Sequence, residues 1–293
     1  MKSLKQGLLV AAIALSAPTW SCTEDGSEGF LPENNLKISV NAKRFGGLTK
    51  EQFDMAIERV ESIYAPIVAQ EGGKLVISRA WDDATVNAYA QRSGSNWMVN
   101  MFGGLARHET ITEDGMSLVV CHEIGHHIGG APKKVSYYSN SWASNEGQAD
   151  YFSNLKCLRR VFLNDDNAAI VAKMDVPEFL TTSCSNSFQS EEEKAMCIRG
   201  GMAGMSVAKL FQSLRNQTVA PKFDTPDPAR VSVTNDNHPA TQCRLDTYFQ
   251  GSLCEVNFND NVQQDSEVSG TCHGTLGHKS GLRPNCWFKA TVQ

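Results

Sequence analysis

Between Thr49 and Gln70, apolar side chains return at steps of four and three: Phe53, Ile57, Val60, Tyr64 and Ile67. That period belongs to one face of an α-helix, and Thr49 with Gln52 three residues on reads as a capping box at its start. Two shorter runs, "KLVIS" from Lys74 and "WMVNMF" from Trp97, are too brief for helices and predict strands. A second helix is predicted from about Thr112 to Gly129-Gly130, with Pro132 just beyond. Glycine past a helix end followed by proline is a stop signal. A third helix is predicted from about Ser144 to Phe162. A fourth covers "SEEEKAMCIRGGMAGMSVAKLFQSL", opened by Ser190 and Glu193 as a second capping box. From about Val219 the chain is rich in Pro, Asp, Asn and Cys, which predicts loops stapled by disulfides.

The N-terminus does not belong to this amphipathic pattern. Lys2 and Lys5 precede an apolar run from Gly7 to Ala17, too short to span a bilayer comfortably, and the polar "TEDGSE" follows shortly after it. Residues 1–21 therefore read as a secretory signal, 22–35 as a flexible tether, 36–218 as the main domain and 219–293 as a cysteine-rich extension packed on it. The expected destination is outside the cytoplasm: periplasmic, an outer-membrane lipoprotein, or alternatively secreted. "TWSC" lacks the leucine usual three residues before a lipid-bearing cysteine, so lipid on Cys22, the one membrane attachment considered, stays open.

Composition alters this picture little. Of 293 residues, 41% are hydrophobic and 20% charged, enough for a substantial core. The net charge of −5 and basic clusters no longer than pairs such as Lys133-Lys134 give no reason to expect a nucleic-acid partner. The cysteines say more. Setting Cys22 aside, eight of the nine remain, an even number suited to an oxidising compartment. Pairing of neighbours would give Cys184–Cys197, Cys243–Cys254 and Cys272–Cys286, with Cys121–Cys157 joining two helices. There is no C-x-x-C pair, so a cysteine zinc site is not expected.

Three of the seven histidines fall within "CHEIGHH". On a helix, His122 and His126 share a face one turn apart, which suits two imidazoles on one metal ion. Glu123 is rotated by about 100° from His122, beside such a metal rather than on it, and placed to take a proton from a water. This is the H-E-x-x-H arrangement. A catalytic zinc takes three protein ligands and keeps one position open. Pro132 stands where one class of these proteins has a third histidine, and it offers no ligand atom. His127 points off the His122–His126 face and reads as helix surface or as support for the site. The next helix offers Glu146, with Asp150 four residues further on the same face.

H-E-x-x-H followed by "NEGQAD" resembles the thermolysin-like gluzincins. The reading E-x-x-A-D, from Glu146, Ala149 and Asp150, resembles more closely the CaaX-endopeptidase and HtpX-like metallopeptidases. "NAYAQRSGSNWMVNMFGGLARH" is similar to that family's N-A-x-A segment, active-site edge strand and "GL" turn. "NHPATQCRL" is similar to its late H-P…R segment, here His238, Pro239 and Arg244. The resemblance implies a zincin-like α+β fold, with a small twisted sheet over the metal helix, further helices and a disulfide-rich C-terminal region. It implies one Zn²⁺ per chain on His122, His126 and Glu146, with Asp150 orienting His122 and Glu123 as general base. His238 would be a second catalytic residue that touches substrate; otherwise it is a turn histidine before proline. Asn87 either bonds a substrate backbone or caps a turn. Arg244 would make a similar contact or stand at the surface, the usual place for an arginine, and His108, His273 and His278 read as loop surface.

The function that follows is peptide-bond hydrolysis in envelope or extracellular proteins, with "WMVNMF" as the edge along which an extended protein or peptide substrate pairs. Two other classes compete with it. One is a zinc-bearing chaperone or assembly factor with little or gated proteolysis. The other is a disulfide-rich binding module whose zinc is structural, for which a fourth protein ligand is missing.

Overall fold

The computed structural model describes residues 29–42, 46–135 and 141–290. The expected signal sequence and Cys22 lie outside the described residues. The order of elements is α1 (Lys50–Gln70), β1 (Lys74–Ala80), β2 (Ala88–Ser93), β3 (Asn96–Phe102), α2 (Gly103–Ala106), α3 (Glu113–Ile128) and α4 (Glu146–Phe152). A π-helical turn, Ser153–Cys157, then leads into α5 (Leu158–Phe162), followed by α6 (Asn167–Val171), α7 (Glu178–Ser187), α8 (Glu191–Leu214) and α9 (Thr241–Leu253). The protein is thus mixed α+β, with a small sheet among many helices.

The expected capping box of α1 is present, with Thr49 accepting from the Gln52 N–H and the Gln52 side chain accepting from the Thr49 N–H. Its apolar stripe, Phe53, Ile57, Val60 and Tyr64, is buried against α3 and the sheet. The strands run in the order β1-β3-β2, with β1 parallel and β2 antiparallel to β3. β2 and β3 form a hairpin whose turn holds Gly94 at φ 58°, a left-handed conformation in which glycine has no Cβ to clash. Trp97, Val99 and Met101 alternate into the core, while the residues between them are half-buried or exposed. The expectation that "WMVNMF" forms the sheet edge is therefore corrected. β3 is central, because β2, whose small alanines gave little strand signal, pairs with it and supplies the open edge.

α3 is apolar or buried nearly all round, as a helix must be when other elements cover every side. α1, the sheet, α4 and α8 all pack on it. α4 crosses closely because α3 has glycine at the contact: a β-carbon on Gly125 would stand 3.2 Å from Ala149 Cα. The predicted third helix is present as α4, the π turn and α5 in succession. Its cap is Asn145, which accepts from the Gln148 N–H.

The C-terminal region is less loop-like than expected. α9 packs on α8, α4 and the π turn, with Arg244, Leu245 and Tyr248 fully buried. Beyond it, Trp287 lies where a β-carbon on Gly147 would be, so the tail covers the helix that carries Glu146. Disulfides Cys121–Cys157 and Cys184–Cys197 are as expected. The other two are Cys243–Cys286 and Cys254–Cys272, a nested pair in place of the neighbour pairing. No helix among the described residues is long and apolar enough to cross a membrane.

The expected tether is also corrected where it can be seen. Residues 29–35 lie against the domain: Phe30 and Leu31 are buried, and Phe30 stands in the main core.

Candidate metal centre

His122 and His126 point the same way from adjacent turns of α3, and their Nε2 atoms are 3.0 Å apart. Glu146, the first residue of α4, closes the set. Its Oε2 is 3.4 Å from His122 Nε2 and its Oε1 is 3.7 Å from His126 Nε2. All three side chains are buried.

The far side of each ring fixes what faces inward. His126 Nδ1 is 2.8 Å from the Ser144 carbonyl, which can only accept, so Nδ1 carries the proton and Nε2 presents a lone pair. His122 Nδ1 is 2.8 Å from Asp150 Oδ1. Burial pushes Asp150 up, but Arg244 and His122 outweigh it and hold the carboxyl below its usual range, so it too acts as an acceptor. Two imidazole lone pairs and a carboxylate thus converge in a buried space, an arrangement that needs a proton or a cation between them. A proton can serve: burial lowers His122, yet Asp150 and Glu146 outweigh it and raise the ring to about 9. Burial with little compensation drives His126 down to about 4. Burial raises Glu146, but His238, His126 and His122 hold it well below the carboxylate range.

A divalent metal fits at least as well. Tetrahedral ligands at about 2.0–2.1 Å from zinc stand about 3.4 Å from one another, and the three separations here run from 3.0 to 3.7 Å. Neither oxygen of Glu146 has a hydrogen-bond partner among the described residues. His122, His126 and Glu146 could therefore hold a metal ion. Asp227, Cys243 and Cys286 also cluster, but both sulfurs are committed to one disulfide.

Glu123 is buried beside this set, and neither of its oxygens has a hydrogen-bond partner among the described residues. Burial pushes its carboxyl up to about 8. A cation beside it would bring that value down, because a bound ion is the largest charge in such a site. His238 reaches the same place from the chain ahead of α9: its Nε2 is 3.3 Å from Glu146 Oε2 and 2.7 Å from the carbonyl of Gly29.

Several expectations for the surroundings change. Arg244 is not a surface residue. It is fully buried, donating from Nη2 to Asp150 Oδ1 at 2.6 Å, and Tyr248 donates its hydroxyl to the same oxygen at 2.7 Å. Neither role was legible in the sequence, although the late H-P…R pattern had singled Arg244 out. His127 is not helix surface: Arg92 donates to its Nδ1 and its carbonyl, its Nε2 lies 3.1 Å from the Met98 carbonyl, and Trp97 and Trp142 stack on it. It pins α3 to the β2–β3 hairpin. His108 and His273 are buried as well, each with Nδ1 against a threonine hydroxyl two residues on. Asn87 neither caps a turn nor stands free; its side chain holds the backbone of Leu31 in both directions.

Compared with known proteins, the chain gives no significant match to any family model, curated protein or solved structure.

Proposed function

We propose that this protein is a zinc-dependent endopeptidase of zincin-like architecture, exported to act on envelope or extracellular proteins. The observation that carries the reading is the buried convergence of His122, His126 and Glu146 with Glu123 alongside. The donor set of two neutral imidazoles and one carboxylate suits zinc, and three ligands leave one position open. A zinc ion held there supplies Lewis-acid chemistry, polarising a carbonyl and lowering the pKa of a water toward about 7.

The chain's own residues do the rest. Glu123 takes the proton from the attacking water and returns it to the leaving amine. His238 donates from Nε2 to the carbonyl oxygen under attack, the kind of contact it already makes to Gly29. Asp150, held ionised by Arg244 and hydrogen-bonded by Tyr248, keeps His122 in the tautomer that offers Nε2. The open edge of β2 provides backbone partners for an extended peptide. Four disulfides suit an oxidising compartment and support export.

Cleavage of casein by the zinc-loaded chain and by Glu123→Gln tests the mechanism. The variant should lose about a hundredfold or more in rate while keeping zinc; equal cleavage by both would remove Glu123 from the reaction.

A further inference from the structure

The chain leading into the open edge of β2, with Ala88 at its start, is already paired. Residues 30–38 run antiparallel to 84–88, with the Phe30 N–H donating to the Ala88 carbonyl at 2.8 Å and the Ile38 N–H to the Ala84 carbonyl at 2.8 Å. At the end nearest the metal centre, the backbone groups of this segment are met by His238, Arg244, Asn87 and Ala88. The Gly29 carbonyl lies 2.7 Å from His238 Nε2, and a single imidazole nitrogen thus stands between it and the Glu146 carboxylate. Arg244 Nη1 donates to the Phe30 carbonyl at 2.9 Å. Asn87 accepts from the Leu31 N–H at 2.9 Å and donates to its carbonyl at 3.2 Å.

The Phe30 side chain sits behind the ligands. Its ring stands edge-on to His122 at 4.9 Å between centroids and tilts against Phe211 at 5.5 Å, with the Arg244 guanidinium 4.8 Å away. This deep apolar slot abuts a metal-ligating histidine and opens where a peptide backbone is held by Ala88, Asn87 and Arg244. A chain segment that only sealed the core would not need the Gly29 and Phe30 carbonyls held by His238 and Arg244, the one beside Glu146 and the other paired with Asp150.

We propose that Gly29–Leu31 is bound as a peptide in the substrate groove of this same centre, and that the slot filled by Phe30 selects a large apolar side chain immediately after the bond to be cleaved. The inference rests on the peptidase reading above and deepens it. The Gly29 carbonyl takes the place of the carbonyl under attack, Phe30 the residue that follows, and Leu31 the next. The residue ahead of the cleaved bond should be small, since a β-carbon on Gly29 would come within 2.6 Å of the Asn87 side chain. Substrates are therefore extended protein segments with a small residue followed by a large apolar one. While the segment stays in place it competes with them, so displacing it raises activity.

The test uses full-length protein carrying Glu123→Gln, zinc-loaded, so that nothing is cleaved. The probe is a fluorescein-labelled peptide of sequence Ser-Glu-Gly-Phe-Leu-Pro-Glu, matching residues 27–33, followed by fluorescence anisotropy. Adding Gly29→Val, which forces the segment off Asn87, should tighten binding of the peptide at least tenfold. A peptide with Asp in place of Phe should not bind. Binding no tighter in a Gly29→Val protein that keeps its native near-ultraviolet circular dichroism overturns the proposal. Phe30→Ala is the second variant, and there the peptide should raise the melting temperature while the Asp peptide leaves it unchanged; no rise with either peptide counts against the groove. Peptide binding without casein cleavage by Gly29→Val with Glu123 intact would sink the peptidase reading and keep the groove. Casein cleavage without peptide binding would do the reverse.

Discussion

His122 illustrates how one residue's function depends on partners that sequence spacing does not reveal. Its Nε2 faces the ligand set with Asp150 holding Nδ1, and Asp150 is kept below the usual carboxylate range by Arg244 and by His122 itself, with Tyr248 donating to the same oxygen. Truncating one member of such a buried charge pair leaves the other uncompensated, at a cost of roughly 3–5 kcal/mol. Arg244→Leu is therefore expected to lower stability by that order in urea denaturation; an unchanged midpoint would show that the pair is not needed. Asp150→Asn should fold, yet weaken zinc tenfold to a hundredfold in a competition titration. Helix periodicity puts His122 with His126 on one face, Glu123 beside them, and Glu146 with Asp150 on a face of the next helix. The meeting of the two faces was an expectation from the H-E-x-x-H … E-x-x-A-D resemblance and not from spacing. Arg244 and Tyr248 were not legible, because their place depends on how α9 packs, a tertiary fact with no local signature.

The elements divide along the same line. α1, α3 and α8 announced themselves through capping and length, whereas β2 was masked by its alanines and α9 by the loop-like composition around it. α3 and the π turn are joined by Cys121–Cys157, closing a separation of 36 residues. By chain entropy such a bridge contributes about 4 kcal/mol at most. The double variant Cys121→Ala/Cys157→Ala should lose roughly 2–4 kcal/mol, and a loss well under 1 kcal/mol would mean that packing alone holds the two helices. The π turn also carries Lys156, whose amine donates to the Asn257 carbonyl at 2.6 Å and is pushed down to about 7 by burial. Its unfolded value is near 10.5. Between those values the unfolded chain holds a proton that the folded chain has released, so stability rises with pH across this window. Lys133, lowered by burial to about 8, slopes the same way. His122 and Glu123, both raised, slope the other way, so the Lys156 contribution is read as a difference. Between pH 7 and 9 the denaturation midpoint of the wild type should climb more, or fall less, than that of Lys156→Met, and equal slopes would show that Lys156 keeps its charge when folded.

At the scale of the whole molecule, both ends of the described chain close on one centre. The segment around Phe30 enters from the sheet edge, while α9 and the Trp287 tail cover α4 from the other side. The nested bridges Cys243–Cys286 and Cys254–Cys272 hold that cover in place, and neighbour pairing missed them because proximity in space overrode proximity in sequence. Since the site is assembled by folding, a metal that binds only the folded chain must stabilise it, by about 2.7 kcal/mol at a hundred times its dissociation constant. The most direct measurement is the zinc content of protein dialysed against a weak chelator, by mass spectrometry of the metal, for the wild type and Glu146→Ala. We expect one zinc per chain in the wild type and little in the variant. Zinc held equally by both, or by neither, would contradict the assignment of His122, His126 and Glu146 as the metal centre.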